Sequence, residues 1–268
     1  MPYITSNHIT LYYQESGKGE AVIFLHGYTG SSDDWKNQME MLKESYHAIA
    51  LDHRGHGKSE APASEEDYAI RISAQDIYAL IRHLGIERCC LVGHSMGGFM
   101  SLQFVLENPG AARALILVDT SSGTWDLPPN YDQVRSKLDE LARNEGLNVA
   151  FEFDIANNPV KQEKFQKHPE LLEIARQKVM NTSVDGYIYF PRAFTKWAPV
   201  TGRLNEIDIP TLIVVGEEDL GFINASKILN ESIKNSERVI IPGAGHNPHE
   251  EAPELFNKSM MSFLKNRL

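Results

Sequence analysis

Gly93-His94-Ser95-Met96-Gly97-Gly98 sets a serine between small residues two positions before and two after it. An apolar run, Cys89 to Val92, precedes the motif, and a helix-forming run, Phe99 to Leu106, follows. That context fits a serine on a sharp strand-to-helix turn, where glycines prevent backbone clashes and the hydroxyl stands clear of the sheet. A hydroxyl there becomes a nucleophile only beside a base. The candidate base is His246, in Gly243-Ala244-Gly245-His246-Asn247-Pro248, directly after the last predicted strand. His249 is close in sequence but is expected to open the final helix, so loop position favours His246.

A histidine acting as base needs a carboxylate to fix its tautomer. Val214-Val215-Gly216-Glu217-Glu218-Asp219 offers three acids after the penultimate strand. Asp219 lies farthest from the strand end, where the loop can bend back, and it gives the chain order Ser, Asp, His. Asp119, at the end of the preceding predicted strand, is held in reserve. The negative charge that develops when a serine attacks a carbonyl needs backbone donors. Met96 N–H, at the start of the helix after Ser95, is one. Tyr28 N–H, in the loop His26-Gly27-Tyr28-Thr29-Gly30-Ser31-Ser32, is the other, and the Tyr28 ring is expected to line the acyl side of a pocket.

Other polar motifs read as structural. His26 is expected to brace the Tyr28 loop. Asp52-His53-Arg54-Gly55-His56-Gly57-Lys58-Ser59 lacks the spacing of a phosphate-binding loop. Asp52 and Arg54 are expected to pair across that turn. The His-x-x-His pairs at 53/56 and 246/249 have no third ligand nearby, so neither a metal nor another cofactor is expected.

The elements that must position these residues show in the apolar pattern. Ile9, Leu11 and Tyr13 alternate, as in an edge hairpin. Continuous apolar runs at Ala21 to Leu25, Ala48 to Leu51, Cys89 to Val92, Leu115 to Val118, Leu212 to Val215 and Val239 to Ile241 suit strands covered on both faces. Helical stripes lie between them, at Trp35/Met39/Leu42, Ile77 to Leu84 ending at Gly85, Ile223 to Ile233 and Leu255 to Leu264. Strand and helix alternate, which predicts an α/β fold with a mostly parallel sheet. Residues 121–200 break the alternation and read as a helical insertion over the C-terminal edge of the sheet. The division expected is a core of 1–120 and 201–268 with a cap of 121–200. Among the cap's apolar residues, Trp125, Phe153 and Trp197 are the candidates to reach a substrate, with Phe151, Tyr187, Tyr189 and Phe194 divided between the cap's own core and the pocket roof.

The 268 residues carry a formal net charge of -10 and no basic cluster, which disfavours nucleic acid and anionic membrane surfaces as partners. Apolar residues make up 42%, enough for a large core. The N-terminal stretch lacks a signal-peptide pattern, and no apolar run approaches a membrane span. The only two cysteines, Cys89 and Cys90, are adjacent and fall in an apolar strand, so they read as core. A cytoplasmic protein acting on a small molecule, as a monomer or homodimer, is the expectation.

Taken together, His26-Gly27, the Asp52 to Ser59 turn, Gly93 to Gly98, Asp219 and Gly245-His246 resemble the α/β-hydrolase superfamily over nearly the whole chain. The resemblance implies an eight-stranded, mostly parallel sheet, a helical cap between the sixth and seventh strands, and an acyl-enzyme mechanism without cofactor. Ser95 differs from the aspartate that epoxide hydrolases and haloalkane dehalogenases use at this turn. The His26 to Gly30 loop is a poor match to the H-G-x-G-x-G loop of carbon–carbon bond hydrolases. It is similar to the loop of the menaquinone-pathway synthases, but those carry an arginine where this chain has Phe99. Three readings follow: a carboxylesterase, lactonase or perhydrolase acting on small, mainly apolar esters or lactones; a synthase or lyase using the same residues for proton abstraction, with Arg192 or Lys196 as cationic groups; and a small-ligand receptor.

Overall fold

The computed structural model describes residues 2–124 and 130–268. Eight strands form one sheet: β1 (Tyr3–Ser6), β2 (Ile9–Ser16), β3 (Glu20–Leu25), β4 (Tyr46–Leu51), β5 (Cys89–His94), β6 (Ala112–Val118), β7 (Thr211–Gly216) and β8 (Ser236–Ile241). Their spatial order is β1-β2-β4-β3-β5-β6-β7-β8. β1 and β2 are joined by Asn7 and His8, both at positive φ, as a tight two-residue hairpin turn requires. β2 is antiparallel to β4, and all pairings from β4 to β8 are parallel.

The outer helices are α1 (Lys36–Leu42), α2 (Ile70–His83) and α3 (Met96–Glu107). α4 (Tyr131–Asn144), α5 (Leu147–Asn157), α6 (Pro159–Lys167), α7 (Glu170–Met180) and α8 (Val184–Lys196) then follow one another between β6 and β7. α9 (Leu220–Ser232), α10 (Pro248–Glu251) and α11 (Pro253–Arg267) complete the chain. The central strands are apolar throughout because they are covered on both faces. In β3, Ile23 and Leu25 face the α2 and α3 side, where Ile77, Leu80 and Phe104 pack. Val22 and Phe24 face the α1 and α11 side, against Leu42, Phe256 and Phe263. Cys89 and Cys90 divide between the two faces in the same way and are fully buried.

α4 to α8 have a core of their own, built on Leu138, Leu141, Phe151, Tyr187 and Ile188. This helical insertion is fastened to loops that follow strands, so it lies over the C-terminal edge of the sheet. Ser183 N–H donates to Gly55 O (2.8 Å) and Gly57 N–H to Asn181 O (3.0 Å), after β4. Lys178 on α7 bridges Asp34 (3.1 Å), near the β3 loop, and Glu250 (2.7 Å) on α10. Lys164 on α6 pairs with Glu251.

The turn after β4 differs from expectation. Asp52 does not pair with Arg54. Its carboxylate accepts from Ser32 N–H (2.6 Å) and Lys58 N–H (2.8 Å), binding two loops together. Arg54 turns the other way and forms a bidentate contact with Asp76 on α2, at 2.8 and 2.7 Å, while Nη1 donates to Asp67 O (2.7 Å). Both side chains are almost fully buried. A guanidinium removed from water needs a matching planar acceptor, and two residues along the same turn cannot supply that geometry as well as a facing helix can.

Removing one member of a buried pair strands the other. Asp76→Ala is expected to destabilise the fold by about 3–5 kcal/mol, read as a lowered urea midpoint. Lys36→Ala, which removes only an exposed pair with Asp33, is expected to change stability by less than about 0.5 kcal/mol.

Candidate active site

Ser95 sits between β5 and α3 with φ 49° and ψ -113°, a left-handed conformation that costs a residue with a side chain. The neighbours hold it there. A Cβ on Gly93 would stand 2.5 Å from Gly97 O, and one on Gly97 would stand 2.3 Å from Leu25 O, so only hydrogen fits at either position. Ser95 N–H donates to Val118 O (2.9 Å), and Thr120 Oγ1 donates to Ser95 O (2.8 Å), which ties the turn to the end of β6.

His246 arrives from the loop after β8. Its Nδ1 lies 2.7 Å from Asp219 Oδ2 and its Nε2 lies 3.0 Å from Ser95 Oγ. With Nδ1–H donating to the carboxylate, Nε2 is left to accept the serine proton. Burial raises the Asp219 carboxyl, but the adjacent His246 and further hydrogen bonding outweigh it, so its pKa falls below the ordinary range and it is anionic at neutral pH. His249 is not a rival for this position. It is buried and stacked on Trp35, with ring centroids 4.4 Å apart.

The loop after β3 runs beside Ser95: a Cβ on Gly27 would meet Ser95 Cβ at 3.4 Å. Ser31 caps the short helix Ser32–Trp35 through a reciprocal bond with Asp34, fixing the loop's exit. The Tyr28 side chain braces the loop against the insertion. Its hydroxyl donates to Tyr187 O (2.5 Å) and accepts from Arg135 Nη1 (3.3 Å), and its ring meets the edge of Phe194. Met96, the first residue of α3, has a fully buried side chain. Trp197 stacks on Phe99, and with Phe194, Gly123 and Asn224 it lines a cavity of about 440 Å3 between the end of α8 and α9. Phe153 packs against the insertion's own core. Trp125 lies outside the described residues. Arg192 is taken up by Asp139 and Glu65, and Lys196 by Glu65, so neither brings a free charge.

Two participants, His94 and Phe222, were not singled out in the sequence, and Asp119 was held there only in reserve. His94 Nε2–H donates to His246 O (2.7 Å), holding the backbone of His246. Its place inside the glycine motif was the available signal. Phe222 lays its ring 5.0 Å from that of His246. Asp119 is fully buried, accepts from Gly216 N–H (2.9 Å), and gathers with Asp219 and His246 so that ligand-type atoms of all three lie within 4.8 Å. That trio has the donor types of a metal site, yet His246 already directs both ring nitrogens at Asp219 and Ser95, which fits a hydrogen-bonded relay better than a coordination sphere.

This arrangement can remove a proton from Ser95 as the oxygen bonds to carbon. The fold, the turn geometry and the sequence agree on the class: the chain belongs to the α/β-hydrolase fold family, whose model matches residues 20–253. A Bacillus subtilis (strain 168) protein carrying the provisional name 2-succinyl-6-hydroxy-2,4-cyclohexadiene-1-carboxylate synthase is 30% identical over 91% of this chain and 90% of its own length. A thermophilic esterase from Thermogutta terrifontis superposes with a TM-score of 0.85 at 27% identity, over 98% of this chain and 97% of that one. A third protein, Est816, described as an N-acyl homoserine lactone degrading enzyme, gives a TM-score of 0.82 at 26% identity over 98% and 100%. No helix among the described residues is long and apolar enough to cross a membrane.

The site is surrounded by buried imidazoles. Burial pushes His26 and His56 down to about 3 and holds His53, His94 and His249 well below the ordinary 6.5. An unfolded chain protonates these histidines near 6.5, whereas the folded one resists until far lower pH. Between those values the unfolded state binds more protons, so stability is whole above 6.5 and falls as pH drops. Asp34, raised to about 6 by burial against the pull of Lys178, and Asp76 and Asp119, also raised by burial, work in the opposite direction but are outnumbered by the five histidines. The urea midpoint is therefore expected to be clearly lower at about pH 5 than at about pH 7.5, each buried histidine contributing on the order of 1 kcal/mol per pH unit. An unchanged midpoint would contradict this.

Proposed function

We propose that the protein is a carboxylic-ester hydrolase with Ser95 as nucleophile, His246 as general base and Asp219 as the orienting carboxylate. The observation that carries this is the continuous contact from Asp219 through His246 to Ser95, at 2.7 and 3.0 Å. Ser95 Oγ attacks the ester carbon while His246 Nε2 takes its proton. Tyr28 and Met96 N–H groups receive the oxyanion; among the described residues neither donates to a protein acceptor. The imidazolium then protonates the departing alcohol, leaving an acyl-Ser95 ester. Water, deprotonated by the same imidazole, releases the acid and restores the serine. Asp219 stays ionised throughout and stabilises the positive imidazolium. The scheme needs no metal or cofactor.

The reading extends to the organisation of the chain: a core of residues 1–120 and 201–268, and a cap of 121–200 that roofs the site. Trp197 and the Tyr28 ring, with Trp125 and Phe153, remain the proposed substrate contacts. The aromatic cluster of Tyr28, Phe99, Phe194 and Trp197, which runs from the loop beside Ser95 to α3, favours small, mainly apolar esters or lactones. The esterase and the lactone-degrading enzyme among the structural relatives agree with that class.

A second reading, elimination through the same residues, draws on the 30% identity to the Bacillus subtilis relative. A trapped acyl adduct separates the two, because elimination forms no ester on Ser95. Wild type is expected to turn over short-chain p-nitrophenyl esters and to show an acyl mass increment on Ser95 with a slow substrate. Ser95→Ala is expected to lose on the order of 10^4-fold or more in kcat, since such residues act as a unit. Equal activity of the two proteins, or none from either across a broad ester panel, defeats the ester reading.

A further inference from the structure

Asp119 is placed as few carboxyls are. It ends β6 at φ 42°, in the left-handed region, and is fully buried. Its backbone N–H donates to Val214 O (2.9 Å) and its Oδ1 accepts from Gly216 N–H (2.9 Å), so both ends of the residue are fixed to β7 and its loop. The other oxygen, Oδ2, is closed off from solvent and, among the described residues, meets no protein N–H. The Asp119 and Asp219 carboxyls lie against each other. The charged groups facing this pair are His246 from the loop after β8, Glu251 from α10 and Lys164 from α6. Lys164 is already paired with Glu251, so among the described residues no free cation compensates a second anion.

Two ionised carboxylates cannot share such a space. One proton between them turns the same contact into a short, charge-assisted hydrogen bond. We propose that Asp119 is a positioning residue that stays protonated at working pH and donates its hydroxyl to Asp219, thereby deciding which carboxyl of the pair carries the charge and where it points. Burial raises Asp119 well above the ordinary carboxyl range, and the charge of Asp219 adds to that. The contact that raises one helps to hold the other down. The proton on Asp119 is not consumed: it remains in place while His246 takes and returns the proton of Ser95. Asp119 touches no reacting atom and acts only through Asp219.

This proposal rests on the hydrolase reading for its kinetic consequences but not for its spectroscopic one. A buried protonated carboxyl absorbs in the infrared at a C=O stretch distinct from that of carboxylates. The wild-type minus Asp119→Asn difference spectrum at neutral pH, recorded in a Ser95→Ala background, is expected to show that band. Its absence overturns the proposal, whatever the protein hydrolyses.

Kinetics supply the second readout. Asn offers an acceptor for Gly216 N–H and a donor for Asp219, matching a protonated acid; Ala offers neither. Asp119→Ala is expected to lose about tenfold or more in kcat, and Asp119→Asn to recover most of that loss. The acid limb of the kcat/KM profile is expected to stay in place in Asp119→Asn. Were Asp119 an anion, Asn would remove a negative charge near His246 and move that limb to lower pH, which would also overturn the proposal. Should Ala fail to fold, the Asn profile and the infrared band still decide.

Discussion

The serine's backbone strain is what the surrounding structure exists to hold. A side-chain-bearing residue at φ 49° does not persist unless its neighbours over-determine it. Here β5 delivers the turn from one side and α3 carries it away on the other, with Gly93 and Gly97 admitting backbone where any side chain would collide. The reward for the strain is direction. The Ser95 hydroxyl stands above the C-terminal edge of the sheet, where the loops after β3, β7 and β8 also end. Parallel strands make this possible, because every one of them delivers its following loop to the same edge.

A second layer of polar contacts keeps those loops in register. Asp52 ties the β4 turn to the start of the Ser32–Trp35 helix, and His94 anchors the backbone of His246. Lys178 and Lys164 pin the helical insertion to Asp34 of the Ser32–Trp35 helix and to Glu250 and Glu251 of α10. These ions are largely withdrawn from water, where pairing matters more than at the surface. The insertion is thereby fixed by charge as well as by the aromatic contacts of Tyr28 and Phe194. Buried neutral histidines line the same region, so the chemistry of the site and the acid sensitivity of the fold arise from one dense patch.

Where sequence reading and structure part company, the cause is distance in the chain. Asp52 and Arg54 are two residues apart and of opposite charge, which made a local pair look natural. Arg54 instead reaches Asp76, on a helix whose side chains the strand–helix pattern places on that face of the sheet without fixing their partners. Phe153 illustrates the same limit: an aromatic in an amphipathic insertion serves its own core or a pocket, and only packing tells which.

The sequence by itself determined the strand–helix alternation, the break at 121–200, the strained serine turn and the loops able to bring Asp219 and His246 to it. These follow from local causes: apolar periodicity, glycine spacing and chain order. Tertiary structure alone decided that Tyr28's hydroxyl is tied to the insertion and that Asp119 lies against Asp219. The second carboxyl is the clearest case. Its position next to Asp219 depends on the parallel pairing of β6 with β7, a contact between residues 96 positions apart that no local pattern encodes.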